Sequence, residues 1–136
     1  MWRTWLPPAV YAALIFYLSS IPDLAPPVDV SNADKVAHFL EYGGFGLLLF
    51  RAAWLQWRPR ARTLAPLFTL GVGAAAAALD EIFQGTVGRN RSVADWGADV
   101  LGLAFAVFLG LRVGSGALRF RRSRASGSGG SGGDDP

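Results

Sequence analysis

The chain has 136 residues, 51% of them hydrophobic and 17% charged, with no cysteine. A single domain of that size and apolar content has the composition of a membrane protein, and the missing cysteine excludes both a disulfide framework and a thiolate metal site. The formal net charge of +3 does not point to nucleic acid, because the bases are neither interleaved with surface aromatics nor gathered on an amphipathic reading face.

Four apolar runs approach the length of a bilayer crossing. The first covers about residues 5–21 and holds no charge between Arg3 and Asp23. Pro7 and Pro8 fall in its first turns, where a missing amide does least harm. A cleaved signal peptide would need a stronger basic end than Arg3 and a small-x-small site, which does not follow cleanly. The second run, about 36–57, is interrupted by His38, Glu41 and Arg51 around the core "YGGFGLLLF". The third, about 64–83, has Pro66 near its start and the stretch "GVGAAAAAL", whose small residues allow close helix approach. The fourth covers about 96–113. Beyond it the chain turns basic and then runs out in "ASGSGGSGGDDP", a composition that cannot bury enough apolar surface to fold. The expected fold is therefore all-α, a polytopic four-transmembrane-helix bundle over residues 1–113 with a disordered tail over 114–136.

Four crossings leave both termini and the loop between runs two and three on one side of the membrane. That side holds ten bases: Arg3, Arg51, Arg58, Arg60, Arg62, Arg112, Arg119, Arg121, Arg122 and Arg124. The other side holds Lys35, Arg89 and Arg91 against eight acids, Asp23, Asp29, Asp34, Glu41, Asp80, Glu81, Asp95 and Asp99. The basic side is expected to be cytoplasmic, which makes this a multi-pass protein of the cell membrane with an acidic outer face.

The unusual residues share that outer face. Asp34, His38 and Glu41 or Tyr42 recur at helical steps, as do Asp80 or Glu81 with Gln84, and Asp95 with Asp99 and Gly102. Asp99 is about 20 Å along a helix from Arg112, well inside a core about 30 Å thick. An ionisable side chain there is expensive unless it faces other helices and finds a partner, and so it is a functional candidate by default. Ser92 in "RSVADW" and Ser31, Asn32 or Asp34 in "SNADKV" are candidate helix N-caps.

These blocks together resemble the VanZ-like family of small bacterial membrane proteins. The resemblance runs from about Ser19 to Gly110 and rests on Ser19, Ser20 and Pro22, on "DKVAHFLEYGGFG", on "DEIFQ", and on "GRNRSVADWGADVLG". The interval after Gln84 is one residue shorter than the family pattern, so either Arg89 or Arg91 matches its arginine. Asp99 stands where relatives often have asparagine. The resemblance implies an envelope protein that contributes to resistance against the glycopeptide teicoplanin, or to envelope-lipid or peptidoglycan-precursor processes. The ligand-binding residues expected on this basis are Asp34, Lys35, His38, Tyr42, Asp80, Glu81, Gln84, Arg89, Arg91, Asp95 and Asp99.

The expected partners are membrane lipids and a lipoglycopeptide or cell-wall precursor, with no nucleic acid and with the oligomeric state open. Acidic residues in a partly desolvated pocket attract cations and cationic amphiphiles, and the five tryptophans suit the interfaces. An alternative is an enzyme acting on a lipid-linked substrate. Glu81, Asp95 or His38 would then move protons and Arg89 or Arg91 would hold an anionic head group. A structural or transport component is the second alternative, in which the arginines merely pair with the acids at the helix ends. No cofactor is expected. His38 is the only histidine, and Asp34, Glu81 and Asp95 beside it have no diagnostic ligand spacing, so they make only a weak metal set.

Overall fold

The computed structural model describes residues 2–21, 33–57, 59–88 and 92–127, with side chains as far as residue 114. Arg89 and Arg91, both expected in the site, lie outside the described residues, as do Ser31, Asn32 and residues 128–136. All regular structure among the described residues is helical. A 3-10 turn, Trp2–Thr4, precedes α1, Leu6–Ser19; α2 is Ala33–Gln56; a second 3-10 turn, Ala61–Leu64, leads into α3, Ala65–Thr86; α4 is Val93–Gly127.

The helix starts follow local chemistry. Proline opens both α1 and α3 within their first two positions, where its fixed φ is already helical. The Ser92 hydroxyl accepts the Asp95 N–H at 3.2 Å and caps α4. Past the end of α3, Gly88 takes φ +85°, the left-handed conformation that closes a helix and disfavours other residues.

Several helices run further than their apolar runs. α2 begins at Ala33 rather than 36, α3 ends at Thr86 rather than 83, and α4 begins at Val93 rather than 96. Hydropathy drops a polar terminal turn, while the backbone hydrogen bonds continue through it. Asp34, Lys35, Gln84 and Asp95 are thereby all helical. The backbone over 114–127, expected to be disordered, continues α4 to Gly127. Alanine, leucine and arginine in "ALRFRRSRA" are strong helix formers, and no proline interrupts them.

The chain reverses at each connection. Ser19 at the end of α1 meets Gln84 at the end of α3, whereas Thr4 before α1 meets Gln56 at the end of α2. α2 and α4 consequently run parallel and lie side by side. Their contact is built from small residues one turn apart: Gly102 against Phe39 and Gly43, Ala106 against Gly46, Gly110 against Phe50, and Gly114 against Trp54. Gly102 makes the tightest approach, since a Cβ built there would lie 2.3 Å from the Phe39 carbonyl oxygen. Only a residue without a side chain lets the two backbones meet so closely.

Two apolar cores fill the remaining space. One is Ile15, Tyr42, Phe45, Leu49, Ala77 and Leu103; the other is Phe50, Ala53, Ala65 and Val107. Near the latter, Arg62 Nε donates to the Trp54 carbonyl at 2.8 Å and its guanidinium lies 5.6 Å from the Trp54 ring centroid, closing the connection between α2 and α3.

The exterior is apolar where the interior is polar. Leu6, Val10, Leu14 and Tyr17 form an exposed stripe on α1, and Leu67, Leu79, Ile82, Leu101, Phe105 and Phe108 are exposed on α3 and α4. His38, Thr69, Asp80, Glu81, Gln84, Asp95 and Asp99 are buried. The spans Ala61–Thr86 and Val93–Gly114 are long and apolar enough to cross a membrane, and α1 is apolar but shorter. An exposed apolar surface on this scale is costly in water and suited to acyl chains.

Candidate functional site

The polar residues converge at one end of the helices, where the start of α2, the end of α3 and the start of α4 meet. The parallel pairing of α2 with α4 sets the register. Gly102 brings α4 against Phe39 and Gly43, and one turn earlier Asp99 faces His38. His38 Nδ1 lies 3.0 Å from Asp99 Oδ1, across 61 residues of sequence. Both side chains are buried, Asp99 completely. With Asp99 ionised, the Nδ1–H donates, and the ring orientation turns the other nitrogen, Nε2, toward Asp34, whose Oδ1 is 4.0 Å away.

Around this pair stand the other helix ends. Lys35, half exposed, reaches Asp95 Oδ1 at 3.6 Å. Glu81 accepts the Ser92 backbone N–H on Oε2 at 2.8 Å. Ser92 caps α4 and Asp95 is the acidic residue three positions later, yet the Ser92 N–H goes to Glu81 of α3. In a capping box the N–H would bond the acidic residue of its own helix. Glu81 thus sits at the positive end of α4, where a carboxylate is favoured, and Asp95 is left to face Lys35.

A second group lies beside the first. Gln84 Nε2 donates to Asp80 Oδ2 at 2.9 Å and to the Ser19 hydroxyl oxygen at 3.5 Å. Tyr42, 1% exposed, stands edge-on to Phe45 with ring centroids 6.1 Å apart.

Several buried oxygens end without a hydrogen-bond partner among the described residues. They are the Tyr42 hydroxyl, one carboxylate oxygen each of Asp80, Glu81 and Asp99, Asp95 Oδ1, which has the Lys35 ammonium at 3.6 Å, and, nearer the start of α3, the Thr69 hydroxyl. Buried polar atoms are nearly always satisfied by protein or water, and four of these, on Tyr42, Asp80, Glu81 and Asp99, lie at this one end. A groove of about 410 Å³ lined by Ala78, Glu81, Ile82, Ser92, Val93 and Trp96 opens beside Glu81. Its walls are apolar, and the Trp96 indole is fixed by donating to the Ala74 carbonyl at 3.2 Å.

Of the residues expected from sequence, Asp34, Lys35, His38, Glu81, Asp95 and Asp99 are joined in one group and Asp80 with Gln84 in another. The sequence reading leaves Ser19 out of the site, although its partner Gln84 is in it. It reads Ser92 as a cap, which it is, without the backbone N–H that Ser92 gives to Glu81. Of the weak metal set expected around His38, the fold brings Asp34 and Asp95 together with it, and it assembles a second, fully buried trio of His38, Glu81 and Asp99, in which Asp99 was not expected as a metal ligand. The periodic signal for the packing was available, since Gly102, Ala106, Gly110 and Gly114 are each four apart.

Comparison with curated proteins and with solved structures gives no match. A family model described as VanZ/LLP1 matches residues 4–113. That stretch holds every described residue of the polar end and all four glycine-lined contacts except the last, and on this match the chain belongs to the VanZ/LLP1 family.

Proposed function

We propose that this chain is a four-span protein of the cell membrane, with both termini cytoplasmic, whose outer polar site binds an amphiphilic envelope ligand of the lipoglycopeptide or cell-wall-precursor class. The observation that carries this reading is the set of unpartnered buried oxygens at one end of the helices, opening on an apolar groove. A groove with hydrocarbon walls and the Glu81 carboxylate in its lining suits a molecule that is apolar along its length and cationic or hydrogen-bond-donating at one point. Asp34, His38, Tyr42, Asp80, Glu81, Gln84, Asp95 and Asp99 form the recognising surface, with Lys35 balancing part of its charge.

The orientation follows from the arginines. Arg3, Arg51, Arg60, Arg62 and Arg112 lie toward the end of the helices away from His38 and Asp99, and an excess of arginine marks the cytoplasmic side. The apolar stripe on α1 and the exposed apolar residues of α3 and α4 would then face lipid.

The test is growth of a teicoplanin-sensitive host expressing the parent chain or Glu81→Gln at equal membrane abundance. The parent is expected to protect and the variant to lose that protection. Equal protection by both would refute a role for the carboxylate, and no protection by the parent would refute the proposed ligand class.

A further inference from the structure

We infer that His38, Glu81 and Asp99 form a binding site for one divalent transition-metal cation of the zinc type. One ligand atom from each of the three lies within 4.8 Å of the other two, and all three residues are buried. The residues come from three different helices, α2, α3 and α4, so the site exists only in the folded chain.

Two observations beyond the clustering point to a cation. Glu81 is 8% exposed and Asp99 0% exposed, and each ends in an oxygen, Oε1 and Oδ2, that lacks a hydrogen-bond partner among the described residues. Their other oxygens are held: Glu81 Oε2 by the Ser92 N–H and Asp99 Oδ1 by His38. Glu81 thus keeps one oxygen free while the backbone of α4 holds the other, and Asp99 keeps a free oxygen whichever atom His38 engages. The charge balance agrees. Asp80, Glu81, Asp95 and Asp99 are all buried at this end, and the cationic groups within 4.0 Å of them among the described residues are Lys35, on Asp95, and His38. Buried charges are paired or coordinate metals.

The donor set selects the ion. One imidazole nitrogen with two carboxylates suits zinc and its first-row neighbours, whereas magnesium and calcium favour an all-oxygen shell. Zinc bonds of about 2.0–2.2 Å in a tetrahedron set ligand atoms roughly 3.3–3.6 Å apart. The three ligand atoms already lie within 4.8 Å of one another, and coordination through His38 Nδ1 would replace its proton and its 3.0 Å hydrogen bond to Asp99, with side-chain rotation closing the rest. Three protein ligands leave the fourth position for water or a ligand donor, as in sites where zinc acts on what it binds. Asp34 and Asp95 form an overlapping group with His38. Asp34 is half exposed and Asp95 already faces Lys35, which makes them the approach to the site rather than its floor.

The experiment uses the full chain in detergent micelles, stripped with a chelator and then titrated with Zn²⁺ in excess Mg²⁺. Metal content by mass spectrometry is expected to reach one zinc per chain. His38→Gln, Glu81→Gln and Asp99→Asn should each weaken binding by about 100-fold or more, as loss of a ligand requires at least the penalty seen for its supporting partners. The parent's melting temperature should rise with Zn²⁺ and the variants' should not. X-ray absorption at the zinc edge of the parent alone should show one imidazole and oxygen donors at about 2.0–2.2 Å, which keeps the test decisive if a variant does not fold. The inference is overturned if the parent takes up no zinc, if uptake survives all three substitutions, or if it is lost only in Asp34→Asn and Asp95→Asn. Metal content is read directly, so this outcome is independent of the teicoplanin assay.

Discussion

Adding one methyl group at Gly102 tests the contact that sets the register of the whole site. The Cβ would lie 2.3 Å from the Phe39 carbonyl oxygen and 2.9 Å from the Gly43 nitrogen. Both are backbone atoms of α2, so no side chain can swing aside. A carbon–oxygen contact relaxes at about 3.3–3.6 Å, and α2 and α4 must therefore separate by roughly 1 Å. A gap of that size forfeits a quarter to a half of the dispersion attraction across the interface, and overpacking of this kind costs about 1–3 kcal/mol. Replacing glycine in a helix returns about 1 kcal/mol, which leaves Gly102→Ala less stable by up to about 2 kcal/mol. Gly97→Ala is the matched control, on the same helix and five residues away, where an added Cβ meets nothing within 4 Å. It should be stabilised by about 0.5–1 kcal/mol. Unfolding both variants by titration with a denaturing detergent should separate them by about 1–3 kcal/mol, the overpacking cost, since the helix gain is common to both. A second readout follows from the position of Asp99, one turn before Gly102. The same separation would stretch its 3.0 Å contact with His38 beyond hydrogen-bond range. His38 is the only histidine, so a single set of imidazole nitrogen resonances reports that loss. Gly102→Ala as stable as Gly97→Ala, with unchanged His38 resonances, would refute the close approach of α2 and α4.

Asp99→Asn keeps an oxygen that accepts from His38, whereas Asp99→Ala leaves a buried donor unpaired; the alanine variant should unfold more easily than the asparagine variant by about 1–3 kcal/mol in the same titration. Ser92→Ala removes the cap on α4 but keeps the backbone N–H that binds Glu81, so it should cost about 1 kcal/mol and leave zinc uptake intact. Arg62→Ala loses both the bond to the Trp54 carbonyl and the contact with its ring, and should lower stability by about 1–2 kcal/mol without affecting the polar end. A reporter fused after Pro136 should be active only on the cytoplasmic side; activity outside would invert the orientation drawn from the arginines.

Much of the local structure is legible in the residues. Pro7 and Pro66 mark helix starts, Ser92 caps α4, and the four-residue step from Asp80 to Gln84 becomes a hydrogen bond of 2.9 Å. These are contacts within a turn or two of chain, where spacing fixes geometry. The helix ends are less legible. Apolar windows stop where charge begins, although Asp34, Lys35 and Asp95 continue the same helices, as does the basic run after residue 113.

What the sequence determines by itself is the kind of molecule: apolar helices, small-residue faces, an acidic end and a basic end. Composition and periodicity are enough for that, because each depends only on neighbouring residues. The tertiary structure decides which of the acids matter together. His38 has Asp34 four residues away on its own helix, but its 3.0 Å partner is Asp99. Glu81 anchors on Ser92 rather than on a residue of α3. Those pairings follow from α2 lying parallel to α4 at the distance that Gly102 permits. Spacing along one helix cannot specify a neighbour that another helix supplies, and here that neighbour turns a row of separate charges into one buried site.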